Sequence, residues 1–170
     1  MVERQTHSHE GEIAVFLLGM TINRPWRPDH WLPAFRAMPA MLGELYTNKA
    51  QSEGGEEEWL GFMGARSLFG ARGPTVIQYW RSTDDIYRYA GMTDRVHRPA
   101  WLEFYRQAKA HPDSVGVWHE TYAVPADGHE SIYYATPSMG LGAVTSLVPV
   151  RRRGDTARER LGSEVRATTA

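Results

Sequence analysis

Residues 78–101 constrain the fold of this chain more than any other stretch. The run Gln78-Tyr79-Trp80 has the pattern of a strand end, and Ser82 followed by aspartates has the pattern of a capped helix start. A helix break is expected at residues 91–99, with a second helical segment after it. His97 lies at that break, between two aromatic neighbourhoods. The stretch predicts a small α+β domain with a closed pocket that contains one titratable or ligating group.

The rest of the chain predicts alternating strands and helices. Residues 12–23 are apolar on both faces and read as a buried strand. Asp29 is the predicted cap of an amphipathic helix, in which Pro39 should cause a bend or an interruption. A solvated loop is predicted at residues 48–58, a β-hairpin at 59–68 and 75–80, a strand at 114–124, and an optional further strand at 131–135. This order is β-α-β-β-α-β, the pattern of a ferredoxin-like α+β fold.

Three segments are predicted along the chain. Residues 1–11 form a polar head that is expected to be mobile. His7 and His9 within it could bind a divalent metal weakly, but they are interpreted as an incidental pair. Residues 12–143 form the ferredoxin-like domain. Residues 144–170 form a polar, locally basic tail that is expected to be solvated.

Composition excludes several classes of protein. With 170 residues, of which 42% are hydrophobic, the chain fits one globular domain. It has no cysteine, which excludes disulfides, thiolate metal sites and a cysteine nucleophile. The net charge of −1 provides no field that would attract nucleic acid or an anionic membrane. Since no run resembles a membrane span or a secretory leader, a soluble cytoplasmic protein is expected.

Large aromatic side chains on the predicted strands indicate that both faces of the sheet are covered. They are too many for one side of the sheet, on which helices pack. They are Trp59, Phe62, Tyr79, Trp80, Trp118 and Tyr122. Pairing of two sheets would bury them, which predicts a homodimeric α/β barrel. The alternative is a monomer that covers the sheet with its own tail.

Several motifs resemble known families. The arrangement of Trp80, Ser82 and Asp85 at the end of a strand, followed by a helix and a histidine, resembles the antibiotic-biosynthesis monooxygenase superfamily of dimeric α/β barrels. Residues 23–142 are similar to an uncharacterised monooxygenase-like family. The matching motifs are Asn23-Arg24, residues 31–39, Gly73-Pro74, residues 78–82, Pro99-Ala100-Trp101 and residues 118–122. The resemblance implies a small-molecule enzyme of the monooxygenase type that acts on an apolar or aromatic substrate.

A third resemblance concerns the cofactor. Residues 87–104, His119-Glu120 and residues 125–142 are similar to the C-terminal half of heme-containing phenylacetaldoxime dehydratases, which have two ferredoxin-like halves in one chain. The resemblance places His97 on or beside the histidine that ligates heme iron in that family. Residues 135–138 stand where the family has a distal catalytic histidine, and none of them is a histidine. The family's route of aldoxime dehydration is therefore not implied.

Five residues are candidates for the site, and four of them have a structural alternative. His97 is a candidate heme ligand or a hydrogen-bonded histidine at a helix break, and Trp101 would flank the heme. His119 is a proton relay or a structural histidine. Trp80 is a cavity wall or a core residue. Asn23 donates to an anionic oxygen or stabilises a turn.

These residues support four functional hypotheses. The first is a monooxygenase-like enzyme with a heme held by His97. The second is a cofactor-independent oxygenase in which Asn23 and Trp80 stabilise a substrate carbanion. The third is a heme aldoxime dehydratase-like lyase. The fourth is a dimer that binds a ligand in the same cavity without converting it.

Overall fold

The computed structural model describes residues 3–95 and 97–161, without the side chains of His97, Ala100 and Phe104. The strands are β1 (Gln5–His7), β2 (Ile13–Ile22), β3 (Phe62–Gly70), β4 (Gly73–Trp80), β5 (Val115–Val124) and β6 (Leu147–Pro149). The helices are α1 (Pro28–Glu53), α2 (Thr83–Gly91), α3 (His97–Ala110), α4 (Leu141–Val144) and α5 (Ala157–Arg160).

The main sheet has four antiparallel strands in the order β3-β4-β2-β5. The connections from β2 through α1 to β3, and from β4 through α2 and α3 to β5, complete the β-α-β-β-α-β order. The predicted ferredoxin-like α+β fold is confirmed. The hairpin of β3 and β4 and the strand β5 lie close to their predicted positions.

The helix side of the sheet carries the main core. Successive strand residues point to opposite faces, so Ala14, Phe16 and Leu18 of β2 face the helices together. At one end of this face Phe62 and Trp80 pack edge to face, with ring centroids 5.4 Å apart. Tyr89 of α2 also packs against Trp80. The core therefore ties the strand end at Trp80 directly to the helix that follows.

The start of α2 follows the predicted capping pattern. The Ser82 hydroxyl accepts a hydrogen bond from the backbone N–H of Asp85 at 3.2 Å. The Asp85 carboxylate in turn accepts two hydrogen bonds from the Arg81 guanidinium, at 2.7 and 2.8 Å. This local bonding fixes the turn from β4 into α2.

Helix α1 differs from its prediction. It continues through Pro39 without a break and extends to Glu53, so the interruption and the loop start at residue 48 are wrong. Pro39 is exposed, which places its missing N–H on the solvent side of the helix. Asn48 is buried because its amide bonds the backbone carbonyl of Glu58 and the N–H of Leu60. These bonds stabilise the last turns of α1.

The two ends of the chain also differ from their prediction. Strand β1 pairs with β6 in a second sheet, and Gln5 bridges Tyr133, so the optional strand at 131–135 is reduced to one bridge. The predicted mobile head therefore contains a strand, and the described part of the predicted solvated tail contains β6, α5 and the buried side chains of Arg153 and Arg160. We call β1, α4, β6 and α5 the terminal layer. Residues 162–170 of the predicted tail lie outside the described chain.

A buried polar network holds the terminal layer together. The imidazole of His7 lies 2.7 Å from the Ser131 hydroxyl, 2.8 Å from the His129 ring and 2.7 Å from the Arg153 guanidinium. Arg153 also donates to the backbone carbonyls of His7 and His9. The His7 side chain therefore has a structural role that the interpretation of a polar, mobile head did not include. His7 is buried among long-range hydrogen bonds and not in an apolar core.

The terminal layer covers one half of the outer face of the main sheet. Leu141 of α4 packs with Ile13 and Met63 on that half. The other half carries a row of neighbouring residues that crosses all four strands. The row consists of Leu68, Thr75, Gly19 and Trp118. Leu68 and Trp118 are 37% and 36% exposed, so this half of the face remains open to solvent in the single chain.

Candidate active site

A cavity of about 430 Å³ lies between the main sheet and the helices α1, α2 and α3. We call it the helix-side cavity. It is lined by Phe16, Leu18, Met41, Leu45, Gln78, Trp80, Ile86, Tyr87, Tyr89, Ala90, Arg98, Trp101, Leu102, His119 and Thr121. Most of these side chains are aliphatic or aromatic. An apolar cavity with a few placed polar groups is the usual form of a small-molecule site.

His119 brings an imidazole to the edge of this cavity. It lies on β5 opposite Leu18, on the helix side of the sheet. Its ring centroid is 5.7 Å from that of Phe16 and 6.4 Å from that of Trp101. The side chain is also exposed, and within the described part of the chain it has no hydrogen-bond partner. A group that touches both solvent and cavity can carry a proton between them.

Trp101 and Arg98 place α3 on the cavity wall. Trp101 packs against Tyr105 one turn later, with ring centroids 4.4 Å apart. The Trp101 side chain also lines the cavity. Arg98 contributes a cationic side chain to the same wall. The predicted cofactor neighbour Trp101 is therefore a cavity residue.

His97 opens α3, immediately before Arg98, but its side chain lies outside the described residues. Its predicted role as a heme ligand stays a prediction. Its helical position is one turn before Trp101, and positions four residues apart share a helix face.

Trp80 is both a core residue and a cavity wall. It is 1% exposed, and its indole N–H donates to the side-chain oxygen of Gln78 at 2.9 Å. The predicted wall residue is thus in place. The indole N–H of Trp80 is bonded to Gln78 within the protein.

Tyr89 places a phenol on the same wall. Its hydroxyl donates to the Glu44 carboxylate of α1 at 2.7 Å. Burial, reinforced by this hydrogen bond, raises the pKa of Tyr89 far above its ordinary value. Tyr89 therefore stays protonated and links α2 to α1 beside the cavity.

Asn23 lies away from the cavity. Trp80 pairs with Ala14 at one end of β2, whereas Asn23 follows the other end of that strand. Asn23 lies nine positions after Ala14, which corresponds to roughly 30 Å along an extended strand. The Asn23 backbone N–H bonds the Ser114 carbonyl, and the residue is exposed. The structure does not bring Asn23 and Trp80 together.

A second cavity, of about 390 Å³, lies between α1 and the β3–β4 hairpin. We call it the hairpin cavity. Its lining includes Met20, Phe35, Leu42, Phe69 and Val76, and its walls are almost entirely apolar. It contains none of the five predicted site residues. The described part of the chain also contains no cluster of three or more acidic or histidine side chains that could hold a metal ion.

Sequence reasoning missed Gln78, Tyr89 and Arg98 as cavity residues. Gln78 carried a usable signal, since it stands at a position of β4 that alternation assigns to the buried face, between Val76 and Trp80. Tyr89 and Arg98 carried none, because aromatic and cationic residues on helices are most often surface or core residues. None of the described helices combines the length and the apolarity that a membrane crossing needs.

Comparisons with known proteins agree with this architecture. A monooxygenase af470 from Aspergillus fumigatus is 27% identical over 172 residues, which include 96% of this chain. This chain spans 58% of the length of that relative.

Two solved structures also match. The crystal structure of an aldoxime dehydratase in complex with butyraldoxime shares 15% identity, with a TM-score of 0.58 over 79% of this chain and 38% of the dehydratase, which shows a common fold. SnoaB, a cofactor-independent oxygenase from Streptomyces nogalater, has 14% identity and a TM-score of 0.36 over 65% of this chain and 91% of its own, below the level that indicates a shared fold.

The match to a family model covers the sheet and the helices that enclose the helix-side cavity. It extends over residues 13–141, from the first residue of β2 to the start of α4. The Asn23, Trp80, His97, Trp101 and His119 positions all lie within it. The chain belongs to the Monooxygenase af470-like family.

Proposed function

We propose that this chain is an enzyme of the monooxygenase type that oxidises an apolar, aromatic small molecule in the helix-side cavity. The observation that carries the proposal is the cavity itself: about 430 Å³, mainly apolar, with an imidazole at its solvent edge. Family membership supports the class of reaction. His119 moves a proton between solvent and substrate, while Phe16 and Trp101 hold the aromatic rings.

We further propose that the cavity holds a heme, ligated by His97 from the first turn of α3. The proposal is supported by the aromatic side chains of Trp80 and Trp101 on the cavity wall and by Arg98, whose guanidinium can pair with a carboxylate. When bound, heme supplies redox chemistry at its iron. The residues of this chain exclude bulk water from the apolar walls and position the substrate.

The second mechanism, cofactor-independent oxygenation through Asn23 and Trp80, is not supported by the geometry. The two residues lie at opposite ends of the main sheet, and the indole N–H of Trp80 is bonded to Gln78. An oxygenase without a cofactor would need other residues of the helix-side cavity.

We also propose that two copies associate through the open half of the outer sheet face. Leu68 and Trp118 are large apolar side chains in one exposed row, and a second sheet would bury them. Light scattering after size exclusion should give the mass of a dimer for the wild type and of a monomer for Trp118→Lys. A monomeric wild type would contradict this interface.

The heme proposal is tested by an absorption titration with hemin. We expect a saturable Soret shift with one hemin per chain, lost in His97→Ala and retained in His111→Ala, the matched change beyond the other end of α3. Equal binding by the wild type and His97→Ala would contradict ligation by His97.

Two variants test in which of the two cavities the heme binds. Ala90→Trp places an indole in the helix-side cavity, and Gly43→Trp places one in the hairpin cavity, where a new Cβ has no atom within 4 Å. We expect Ala90→Trp to abolish the Soret shift and Gly43→Trp to preserve it. The opposite pattern would move the site to the hairpin cavity.

A further inference from the structure

The Gln78 side chain has a fixed orientation on the wall of the helix-side cavity. It is 6% exposed, and its carboxamide receives the Trp80 indole N–H at 2.9 Å. An indole nitrogen is a donor and never an acceptor, so the atom that faces it must be the amide oxygen. The amide nitrogen of Gln78 therefore points away from Trp80.

The amide NH₂ group of Gln78 has no hydrogen-bond partner among the described residues. The side chain lines the helix-side cavity, where most of its neighbours are apolar. Among the described residues, the buried side-chain atom without a hydrogen-bond partner is Nε of Arg88, so the Gln78 NH₂ group is open to the cavity. A ligand that offers an acceptor at this point would replace water as the partner of this donor.

We propose that Gln78 is the substrate-orienting donor of the cavity, and that its ligand is an aromatic molecule with a carbonyl or phenolic oxygen. The inference rests on the proposed function and specifies the substrate class of the same site. Trp80 acts as a positioning residue, because its indole N–H holds the carboxamide in the donating orientation.

The sheet register sets the direction in which the ligand lies. Phe16 of β2 pairs with Gln78 on one side and with Thr121 on the other, and Leu18 pairs with His119. Two strand spacings and two residues along the strand separate the backbones of Gln78 and His119 by roughly 12 Å. The ring system of the ligand lies over Phe16 between them, with its oxygen at Gln78 and the opposite end towards His119.

The test compares two probes of nearly equal shape, acetophenone and α-methylstyrene, which differ by a carbonyl oxygen in place of a methylene. Their dissociation constants are measured by tryptophan fluorescence for the wild type, for Gln78→Leu and for Ser67→Ala, a control in the hairpin cavity. We expect Gln78→Leu to weaken acetophenone about tenfold, the typical loss of one buried hydrogen bond, and to leave α-methylstyrene within twofold. Ser67→Ala should change neither.

A second readout needs no variant and covers the case in which Gln78→Leu does not fold. In the wild type, the side-chain amide protons of Gln78 should move downfield on addition of acetophenone and stay in place with α-methylstyrene. Equal weakening of both probes, or unmoved amide protons, would overturn the role of Gln78 while the cavity still binds its ligand. Failure of both probes to bind the wild type would overturn the inference together with the proposed site.

Discussion

The two faces of the main sheet are covered in different ways. On the helix side, apolar side chains pack around Phe62 and Trp80 and leave a cavity with a few polar groups at its walls. On the outer side, the terminal layer is held by a buried polar network around His7 and Arg153. The helix side therefore contains space for a ligand. The terminal layer instead depends on a set of buried hydrogen bonds, each of which has to be satisfied.

The largest expected effect is at Arg153. Arg153→Met removes a buried guanidinium that lies 2.7 Å from the His7 ring and donates to the backbone carbonyls of His7 and His9. We expect a loss of about 3–5 kcal/mol in the free energy of unfolding, measured by urea denaturation. The matched variant Arg151→Met, at an exposed ion pair with Glu3, should lose less than about 1 kcal/mol. Equal effects would show that the network does not stabilise the terminal layer.

The next effect is a dependence of stability on pH. Burial, followed by the charge of Arg153, lowers the pKa of His7 from 6.5 to about 3. The unfolded chain therefore binds a proton at His7 that the folded chain rejects, so stability is full above pH 6.5 and falls as the pH decreases towards 3.

One proton contributes a slope of up to about 1.4 kcal/mol per pH unit in that window. Urea denaturation at several pH values measures it, and His7→Asn should reduce the slope. His129, whose pKa burial also lowers, contributes to the slope that remains. An unchanged slope in His7→Asn would contradict a buried neutral His7.

A smaller effect is expected on the open half of the outer face. The Trp118 ring lies against Gly19, where a new Cβ would be 2.2 Å from a ring atom. Gly19→Ala should displace this half-exposed ring at a cost of about 1–2 kcal/mol. The displacement should also weaken the proposed dimer, which sedimentation velocity measures. No change in either quantity would show that the ring is not held in this position.

The smallest effect is expected at the cavity wall. Thr121 lines the helix-side cavity and forms no side-chain hydrogen bond within the described chain. Thr121→Val should therefore change the free energy of unfolding by less than about 0.5 kcal/mol in a thermal or urea melt. A loss comparable to that of Gly19→Ala would mean that the space beside Thr121 is packed.

The sequence predicts the elements that local patterns specify. Strand β2 follows from its apolar run, and α2 follows from Ser82, whose side chain caps the helix as expected. The predicted bend or interruption at Pro39 gave this proline too much influence on the length of α1. A long helix tolerates a proline where its missing hydrogen bond faces solvent. The ferredoxin-like order was therefore predictable, and the length of α1 was not.

The terminal layer was not predictable from local patterns. Its pairing joins Gln5 to Pro149, and nothing near His7 in the sequence indicates that Arg153 will meet it. Polar residues become buried here by contacts between the two ends of the chain. The separation of Asn23 from Trp80 was not predictable either, because a motif does not state at which end of a strand each residue lies.

The candidate site was predictable in part. Trp80, Trp101 and His119 line one cavity, as their aromatic and imidazole side chains suggested. The donor group of Gln78 depends on a hydrogen bond from Trp80 within the folded sheet, and no sequence pattern reveals the direction of an amide.

Whether the helix-side cavity is the ligand site can be tested with the six tryptophan indole N–H signals. They can be followed in a ¹⁵N–¹H titration with acetophenone. We expect saturable shifts for Trp80 and Trp101, which line that cavity, with little change for Trp26 or Trp118. Shifts confined to Trp118, or to Trp31, whose ring packs edge to face against Phe35 of the hairpin cavity, would contradict this site.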